Sequence, residues 1–219
     1  MNCSIRLATS TLTACAALLL TACGSSDDDK DNGKIAGADT GTKKSASQSP
    51  SPTATADGID RPEIKLPADM RNVFEGRETG DAVKGAILAD NERRINAVDA
   101  ALASGDVKHS AIAFYTTDRA LMGLSDYTKR AVAKDISWTG TTRYFDRQVT
   151  VFGKTSAVVT YCADESRSNP KDRRTNKVTK VKTSPDSYVY YNTAVTKNED
   201  GVWQTRDLSE NRGAQRCQP

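Results

Sequence analysis

Proton-transfer chemistry in proteins needs a histidine or a carboxyl group that is held in a pocket beside a partner. The sequence contains one histidine, His109, near the start of a predicted helix, and we interpret it as an exposed structural residue. Asp146 falls within a predicted strand, where a lone carboxylate usually lies on the solvent face. We interpret Asp164 as capping a turn or pairing with Arg167, with a position facing a pocket as the alternative. The sequence therefore predicts no catalytic residue.

Binding motifs for metals and phosphates are missing from the sequence. It has no glycine-rich phosphate loop, no His/Cys metal spacing and no Gly-x-Ser-x-Gly elbow. We therefore expect no metal and no cofactor. Lys and Arg number 31 against 28 Asp and Glu, so the charge is nearly balanced, and we expect no nucleic-acid partner. The densest basic segment, residues 171–182, is interpreted as a solvated hairpin tip, with contact to an acidic partner or to lipid headgroups as the alternative.

A lipid attachment site is the most specific chemical signal in the chain. The residues Leu20-Thr21-Ala22-Cys23 close a short apolar segment that follows an N-terminal stretch carrying Arg6. This pattern resembles the lipobox of bacterial lipoproteins. The resemblance implies that residues 1–22 are a signal peptide and that Cys23 is lipidated. Two acyl chains would give stable anchoring to the extracellular face of the cell membrane.

The remaining cysteines fit that location. Cys3 and Cys15 would leave with the signal peptide, and Cys23 would carry lipid. Cys162 and Cys217 are then an even pair in an oxidising exterior, where disulfides persist. We expect these two cysteines to be bonded, with two free buried thiols as the alternative.

A tether and a single folded domain are predicted after the signal. Residues 24–60 are rich in Ser, Thr, Asp, Gly, Ala, Lys and Pro, with Ile35 and Ile59 as the only large apolar residues. Such a segment buries too little surface to offset its ordering entropy, so residues 23–60 are expected to be a disordered tether. The domain is then residues 61–219.

Helical patterns come first in this domain and strand patterns follow. Residues 64–74 are interpreted as an arm or short turn packed on the body. A helix is predicted from Asp81 to Gly105, with Asp90, Glu92, Arg93, Arg94 and Asp99 assigned to faces away from the apolar one. A second helix over residues 111–122 is broken at Gly123, and a third runs to Val132. The predicted strands cover residues 141–152, 155–162, 178–182, 187–196 and 202–208, with polar turns at 164–177.

This order predicts an α+β fold in which N-terminal helices pack on a curved antiparallel sheet. It resembles the NTF2-like, or cystatin-like, cone. Within that group the chain is similar to uncharacterised surface lipoproteins of actinobacteria. The segments that carry the resemblance are the lipobox, Leu66-Pro67-Ala68-Asp69, Thr139-Gly140, Cys162-Ala163-Asp164, Gly201-Val202-Trp203 and Cys217. The resemblance implies a pocket between helices and sheet, although the fold alone does not define a function.

Aromatic residues on the predicted strands are the candidates for lining such a pocket. We select Tyr144, Tyr161, Tyr190 and Trp203, with ordinary core packing as the alternative interpretation. Strand alternation places Tyr190 and Tyr191 on opposite faces, so one of them must face away from the core.

Three functions stay open at this point. The leading hypothesis is a non-enzymatic binding or interaction module that contacts a protein, wall material or a small apolar ligand. The second is a carrier that holds a small ligand in the cone. The third is an isomerase or dehydratase of the cone type, which would need a buried carboxyl or histidine with a perturbed pKa.

Overall fold

The computed structural model describes residues 57–76 and 79–219, and its secondary structure changes type twice along the chain. One short strand precedes three helices, and a run of four strands follows. The elements are β1 (Met70–Phe74), α1 (Ala82–Ser104), α2 (Ser110–Tyr115), α3 (Asp118–Ala133), β2 (Ile136–Val151), β3 (Ser156–Asp172), β4 (Tyr188–Lys197) and β5 (Trp203–Arg212), with short 3-10 turns at Pro185–Ser187 and Gln215–Cys217. The α+β class predicted from the sequence is confirmed.

The five strands form one sheet in the order β1-β2-β3-β4-β5. Strands β2 to β5 are an antiparallel meander, but β1 pairs with β2 in parallel. The sequence prediction of an arm or short turn at residues 64–74 was therefore wrong for β1, and the sheet is not wholly antiparallel. Phe74 explains why this segment joins the sheet, because its ring stacks on Tyr144 at 4.9 Å between centroids.

Helix α1 has the bounds that its capping residues predict. The Asp81 carboxylate accepts hydrogen bonds from the backbone N–H groups of Val83 and Lys84, at 2.9 and 3.1 Å. The helix ends at Gly105, whose φ of 76° is the left-handed conformation that glycine adopts readily. The four charged residues between positions 90 and 94 are nevertheless all buried. The prediction that these residues face away from the core was wrong, because sheet and neighbouring helices enclose this part of α1.

The break between α2 and α3 lies at Thr116-Thr117 and not at Gly123, which stays inside α3. The N–H group of Thr117 donates to the carbonyl of Thr205 at 2.9 Å, and Thr116 forms a parallel bridge with the same residue. This contact with β5 interrupts the helix, since the backbone groups that α2 would need for continuation are used by the sheet.

Strands β2 and β3 are longer than the sequence predicted. Their pairing extends to Ile136 opposite Asp172, so the turns expected at residues 164–177 are mostly strand. At Gly140 the two strands approach so closely that an added Cβ would collide with the carbonyl oxygen of Arg167. The short strand predicted at 178–182 was wrong, because only one bridge, between Lys171 and Val178, forms there.

The two faces of β4 are covered differently. Val189 packs in the core with Tyr191 against it, while Tyr190 faces the opposite side, beside Cys162 and Cys217. These two cysteines are joined as a disulfide with 5.4 Å between their Cα atoms. The structure thus supports the expected pairing, which attaches the C-terminal segment to the outer face of the sheet.

Residues just before position 61 contact the domain. Ile59 is half-buried and packs with Ile64 and Phe114 against a small core of Ala97, Ala111, Tyr115 and Val202. In the part of the chain that the structure describes, no helix is both long enough and apolar enough to cross a membrane. The predicted signal peptide and Cys23 lie outside the described residues.

Candidate functional site

A cavity of about 420 Å³ lies between α1, α3 and the inner face of the sheet. Its apolar wall includes Ile95, Val98 and Leu102 from α1 and Leu124 from α3. The space exists because several facing positions carry small side chains, so the concave sheet is not filled from the helix side. The residues with small side chains on the cavity wall are Ala120, Gly123, Gly140, Thr142 and Ser168.

Three tyrosines on adjacent strands form one wall of the cavity. Tyr161 pairs directly with Tyr191 across β3 and β4, and their rings stack at 5.0 Å between centroids. Tyr144 meets Tyr161 edge to face at 6.0 Å. Burial raises the pKa values of Tyr144 and Tyr191 well above the ordinary range, so both hydroxyls stay protonated. This tyrosine wall offers apolar area together with hydrogen-bonding groups.

Two of the four predicted pocket residues therefore line the cavity, and two do not. Tyr144 and Tyr161 are on its wall. Tyr190 lies on the outer face, where the Arg216 guanidinium sits 4.3 Å from its ring centre. Trp203 is 3 % exposed and fills the core away from the cavity. Sequence alternation already indicated that Tyr191, and not Tyr190, shares a face with the core residue Val189.

Asp99 on α1 is the carboxyl group that sequence reasoning missed. It borders the cavity and accepts a hydrogen bond from the side-chain amide of Asn72 at 2.6 Å. Burial raises the pKa of Asp99 to about 6, although the Asn72 hydrogen bond and the Arg94 charge act in the opposite direction. A usable signal exists in the sequence. Asp99 is four residues after Ile95 and three before Leu102, a spacing that puts all three on one helical face.

Arg94, one turn earlier on α1, is a second charged group in the cavity wall. It is 7 % exposed, and its guanidinium donates to the Tyr161 hydroxyl at 3.0 Å. Its Nε–H has no hydrogen-bond partner within residues 57–76 and 79–219. In the same described residues, no carboxylate oxygen lies at ion-pair distance from this guanidinium. A buried arginine whose only polar contact is a neutral hydroxyl is a place where an anion would be stabilised.

Both other arginines on the cavity wall are paired with carboxylates. The Arg212 guanidinium donates to Glu165 at 2.7 Å and to the backbone carbonyl of Asp186 at 2.8 Å. Arg119 forms an ion pair with Asp207, and both side chains are exposed. These contacts use the charge of both arginines within the protein. Of the three arginines on the cavity wall, Arg94 is the one that has no carboxylate at ion-pair distance in residues 57–76 and 79–219.

The three residues first considered for proton chemistry lie outside the cavity. His109 caps α2, and its Nδ1 accepts from the Ala111 N–H at 3.3 Å, which agrees with a structural role, although the residue is half-buried and not exposed as expected. Asp146 is exposed, as expected. Asp164 accepts from the Ser166 N–H at 3.0 Å and lies 3.7 Å from Arg143, so the expected pairing with Arg167 was wrong. The bulge between Thr141 and Arg143 changes the cross-strand partner.

Within the described residues, no three His, Cys, Asp or Glu side chains come close enough together to hold a metal ion. The fold and this site together define an α+β domain with an open, tyrosine-lined cavity that contains one carboxyl group of raised pKa and one buried arginine.

Comparison with known proteins finds no matching family model and no matching curated protein. Among solved structures, the chain is similar to a ketosteroid isomerase-like protein from Erwinia carotovora atroseptica, with 15% identity, a TM-score of 0.42 and coverage of 60% of this chain and 97% of that one. It is also similar to a domain of unknown function with a cystatin-like fold from Nostoc punctiforme, with 17% identity, a TM-score of 0.38 and coverage of 61% and 79%.

A third similar structure is described as an aromatic ring hydroxylase, from Novosphingobium aromaticivorans, with 13% identity, a TM-score of 0.40 and coverage of 58% of this chain and 88% of that one. With identities and TM-scores this low, these likenesses carry no argument about what this chain does. Its function has to be argued from its own cavity.

Proposed function

We propose that this chain is a surface lipoprotein whose cavity binds one small, largely apolar molecule that carries a polar group. The observation that supports binding is the open cavity of about 420 Å³. This volume falls in the range of small-molecule sites, roughly 300–1,000 Å³. An interaction module that works only through its surface would not need such a space, because a filled core is more stable.

The chemistry of the walls supports an amphipathic ligand. Aliphatic side chains of α1 and the tyrosine wall supply apolar area, and polar and charged side chains lie on the same cavity wall. The hydroxyl groups of Tyr144 and Tyr191 make no side-chain hydrogen bond within the described residues, and both residues border the cavity. A ligand with an oxygen or nitrogen near these hydroxyls would satisfy them.

The proposed location depends on the lipobox-like residues that end at Cys23. Lipid on this cysteine would hold the domain at the outer membrane surface by a tether. Substitution Cys23→Ala should release the protein from membranes and stop incorporation of labelled fatty acid, with Cys162 and Cys217 as internal controls that stay unlabelled. Unchanged membrane attachment of the variant would contradict the anchor.

Ligand binding is tested with the full chain and the neutral fluorescent probe N-phenylnaphthylamine. We expect saturable fluorescence enhancement at one site per chain. Ala120→Phe places a ring on the cavity wall and should weaken probe binding at least tenfold, since it fills the space that the probe needs. Lys129→Phe adds the same ring to an exposed position of α3 and serves as the matched control. Equal binding by both variants would contradict the cavity as the site.

A second function, proton transfer in an isomerase or dehydratase, is favoured by Asp99 alone. A carboxyl with a pKa of about 6 is suited to act as a base near neutral pH. In such a reaction the Asp99 carboxylate would take a proton from carbon beside a carbonyl. The electrons would move to the carbonyl oxygen, where a hydrogen bond from a wall tyrosine would stabilise the charge, and protonated Asp99 would return the proton at the far end of the double bond.

That second function is tested with a β,γ-unsaturated cyclic ketone, whose conversion to the conjugated enone is followed by ultraviolet absorbance. The rate should increase as the pH rises through about 6, and Asp99→Asn should abolish it. No conversion by the full chain, with N-phenylnaphthylamine still bound, would leave ligand binding as the function.

A further inference from the structure

The cavity contains a buried cation that has no ion-pair partner among residues 57–76 and 79–219. Arg94 is on the cavity wall and 7 % exposed, and its polar contact is the neutral hydroxyl of Tyr161 at 3.0 Å. Asp99 acts on it at longer range only, since the Asp99 oxygens are not at ion-pair distance in the described residues. A buried charge without an opposite charge nearby carries a large desolvation free energy, which a bound anion would offset.

The other buried arginines of α1 and the sheet show what the protein does when a charge is structural. Arg93, the next residue, donates to the Asp90 carboxylate at 2.7 Å. Arg147 of β2 donates to Glu92 at 2.7 Å and to the backbone carbonyl of Leu88 at 3.1 Å. Arg94 has the same burial, but the part of the chain that the structure describes places no such carboxylate beside it, and it is the one of these three that borders the cavity.

The shape of the site around Arg94 restricts the ligand further. The guanidinium is held at the Tyr161 hydroxyl, and the Tyr161 ring stacks on that of Tyr191 at 5.0 Å. An anion at Arg94 would therefore have the tyrosine wall beside it. A planar guanidinium fork matches a carboxylate, which it can bind by two parallel hydrogen bonds. Asp99 lies on the same wall and would repel a second negative charge on the ligand.

We propose that Arg94 is the binding site for the carboxylate of a monoanionic apolar acid, whose aromatic or aliphatic body packs against the tyrosine wall. This inference deepens the proposed function and rests on it, because it names the class of ligand that the cavity takes. Arg94 selects the ligand through its charge, and the wall selects it through its apolar area.

The test is a competition experiment on the full chain with N-phenylnaphthylamine as the reporter. The competitors are three compounds on one ring system: naphthoate, naphthamide and naphthylmethylammonium. At pH 7.5 we expect naphthoate to displace the reporter at a concentration about tenfold or more below that of naphthamide, because a charge-assisted hydrogen bond is stronger than a neutral one. The cation should compete least.

Arg94→Met removes the charge and keeps much of the side-chain volume. In this variant naphthoate and naphthamide should displace the reporter at equal concentrations. Arg94→Lys should keep part of the preference for naphthoate, since it retains the charge without the fork. Arg130→Gln removes an exposed positive charge from α3 and should leave the wild-type preference unchanged.

Two results would overturn this inference while the proposed function stands: reporter binding with no preference of the wild type for naphthoate, or a full preference in folded Arg94→Met. Failure of the reporter itself to bind would instead contradict the proposed function. If Arg94→Met does not fold, the preference for naphthoate over naphthamide in the wild type and in Arg94→Lys tests the inference. Both of these proteins keep a positive charge at position 94.

Discussion

Two parts of helix α1 bury charge in opposite ways. At Asp90 the charge is enclosed by donors. Its carboxylate accepts from Arg61 and Arg93, both at 2.7 Å, and from the backbone N–H of Trp203 at 2.9 Å. Two and a half turns later, Asp99 accepts one hydrogen bond, from the amide of Asn72, and borders an open cavity. The first site is filled by the protein and the second has room for another molecule.

This difference separates charges that hold the fold from charges that are available for a ligand. In an ion pair with several hydrogen bonds, the favourable contacts offset much of the free energy that desolvation of the two charges costs. A carboxyl group with one amide partner gains much less to offset its own desolvation. The raised pKa of Asp99 reflects that uncompensated cost. Asp90 is 1 % exposed and Asp99 is half-buried, and the two carboxyl groups also differ in the number and charge of their partners.

The largest expected effect comes from breaking the filled site. Asp90→Asn removes the carboxylate that Arg61 and Arg93 share and leaves the buried Arg93 without its ion pair, so we expect a loss of about 3 to 5 kcal/mol in the free energy of unfolding. Urea denaturation followed by circular dichroism measures it. Asp146→Asn makes the same chemical change at an exposed carboxylate and should alter stability by less than about 0.5 kcal/mol. Similar values for the two variants would contradict the structural role of Asp90.

A change of opposite sign is expected at Asp99. Between about pH 4 and pH 6 the folded state holds a proton on Asp99 that the unfolded state has released, because the folded pKa is raised to about 6. Stability is therefore lost as the pH rises through this window, and the full cost, up to about 3 kcal/mol, is present above it. Asp99→Asn should remove the cost and stabilise the protein at pH 7 but not at pH 3.5.

Groups that face Asp99 from every side set this behaviour. They are Arg94 on the same helix, Asn72 of β1, Glu165 of β3, Tyr144 of β2 and Tyr127 of α3. Denaturation curves of wild type and Asp99→Asn, measured from pH 3.5 to 8, give the comparison. Parallel pH profiles for the two proteins would show that Asp99 titrates normally and would remove the contrast with Asp90.

The smallest effect is expected at a paired arginine of the cavity wall. Arg119 and Asp207 form an ion pair between side chains that are 76% and 44% exposed. Such a pair contributes little, so Arg119→Gln should change the free energy of unfolding by less than about 0.5 kcal/mol. The difference should also shrink at high salt. A loss comparable to that of Asp90→Asn would show that wall charges, too, hold the fold.

Local signals in the sequence predicted the elements whose ends are capped. The bounds of α1 follow from Asp81 and Gly105, and the face of Tyr191 follows from strand alternation. The continuation of β3 to Asp172 was not predictable in this way. Its last residues are polar and include Pro170, and they form a strand because β2 pairs with them.

The cavity could be predicted in part. Tyr144 and Tyr161 were found because aromatic residues alternate along strands, but Tyr190 and Trp203 were misplaced because alternation does not tell which face of a strand borders a cavity. Asp99 and Arg94 were missed because charged helical residues were assigned to solvent by default. Their burial depends on three separate elements that close around α1, and a single helix pattern does not contain that information.

The segment before β1 gives the domain a particular mechanical property. Arg61 is bound to Asp90 of α1, and Ile59 packs against the small core beside Val202. A force that pulls on the chain from its N-terminal side would therefore load this ion pair and these apolar contacts before it reached the edge strand. The contacts of residues 59–61 would therefore break before the sheet did, so the cavity would be shielded from a force applied at the N-terminal side of residue 57.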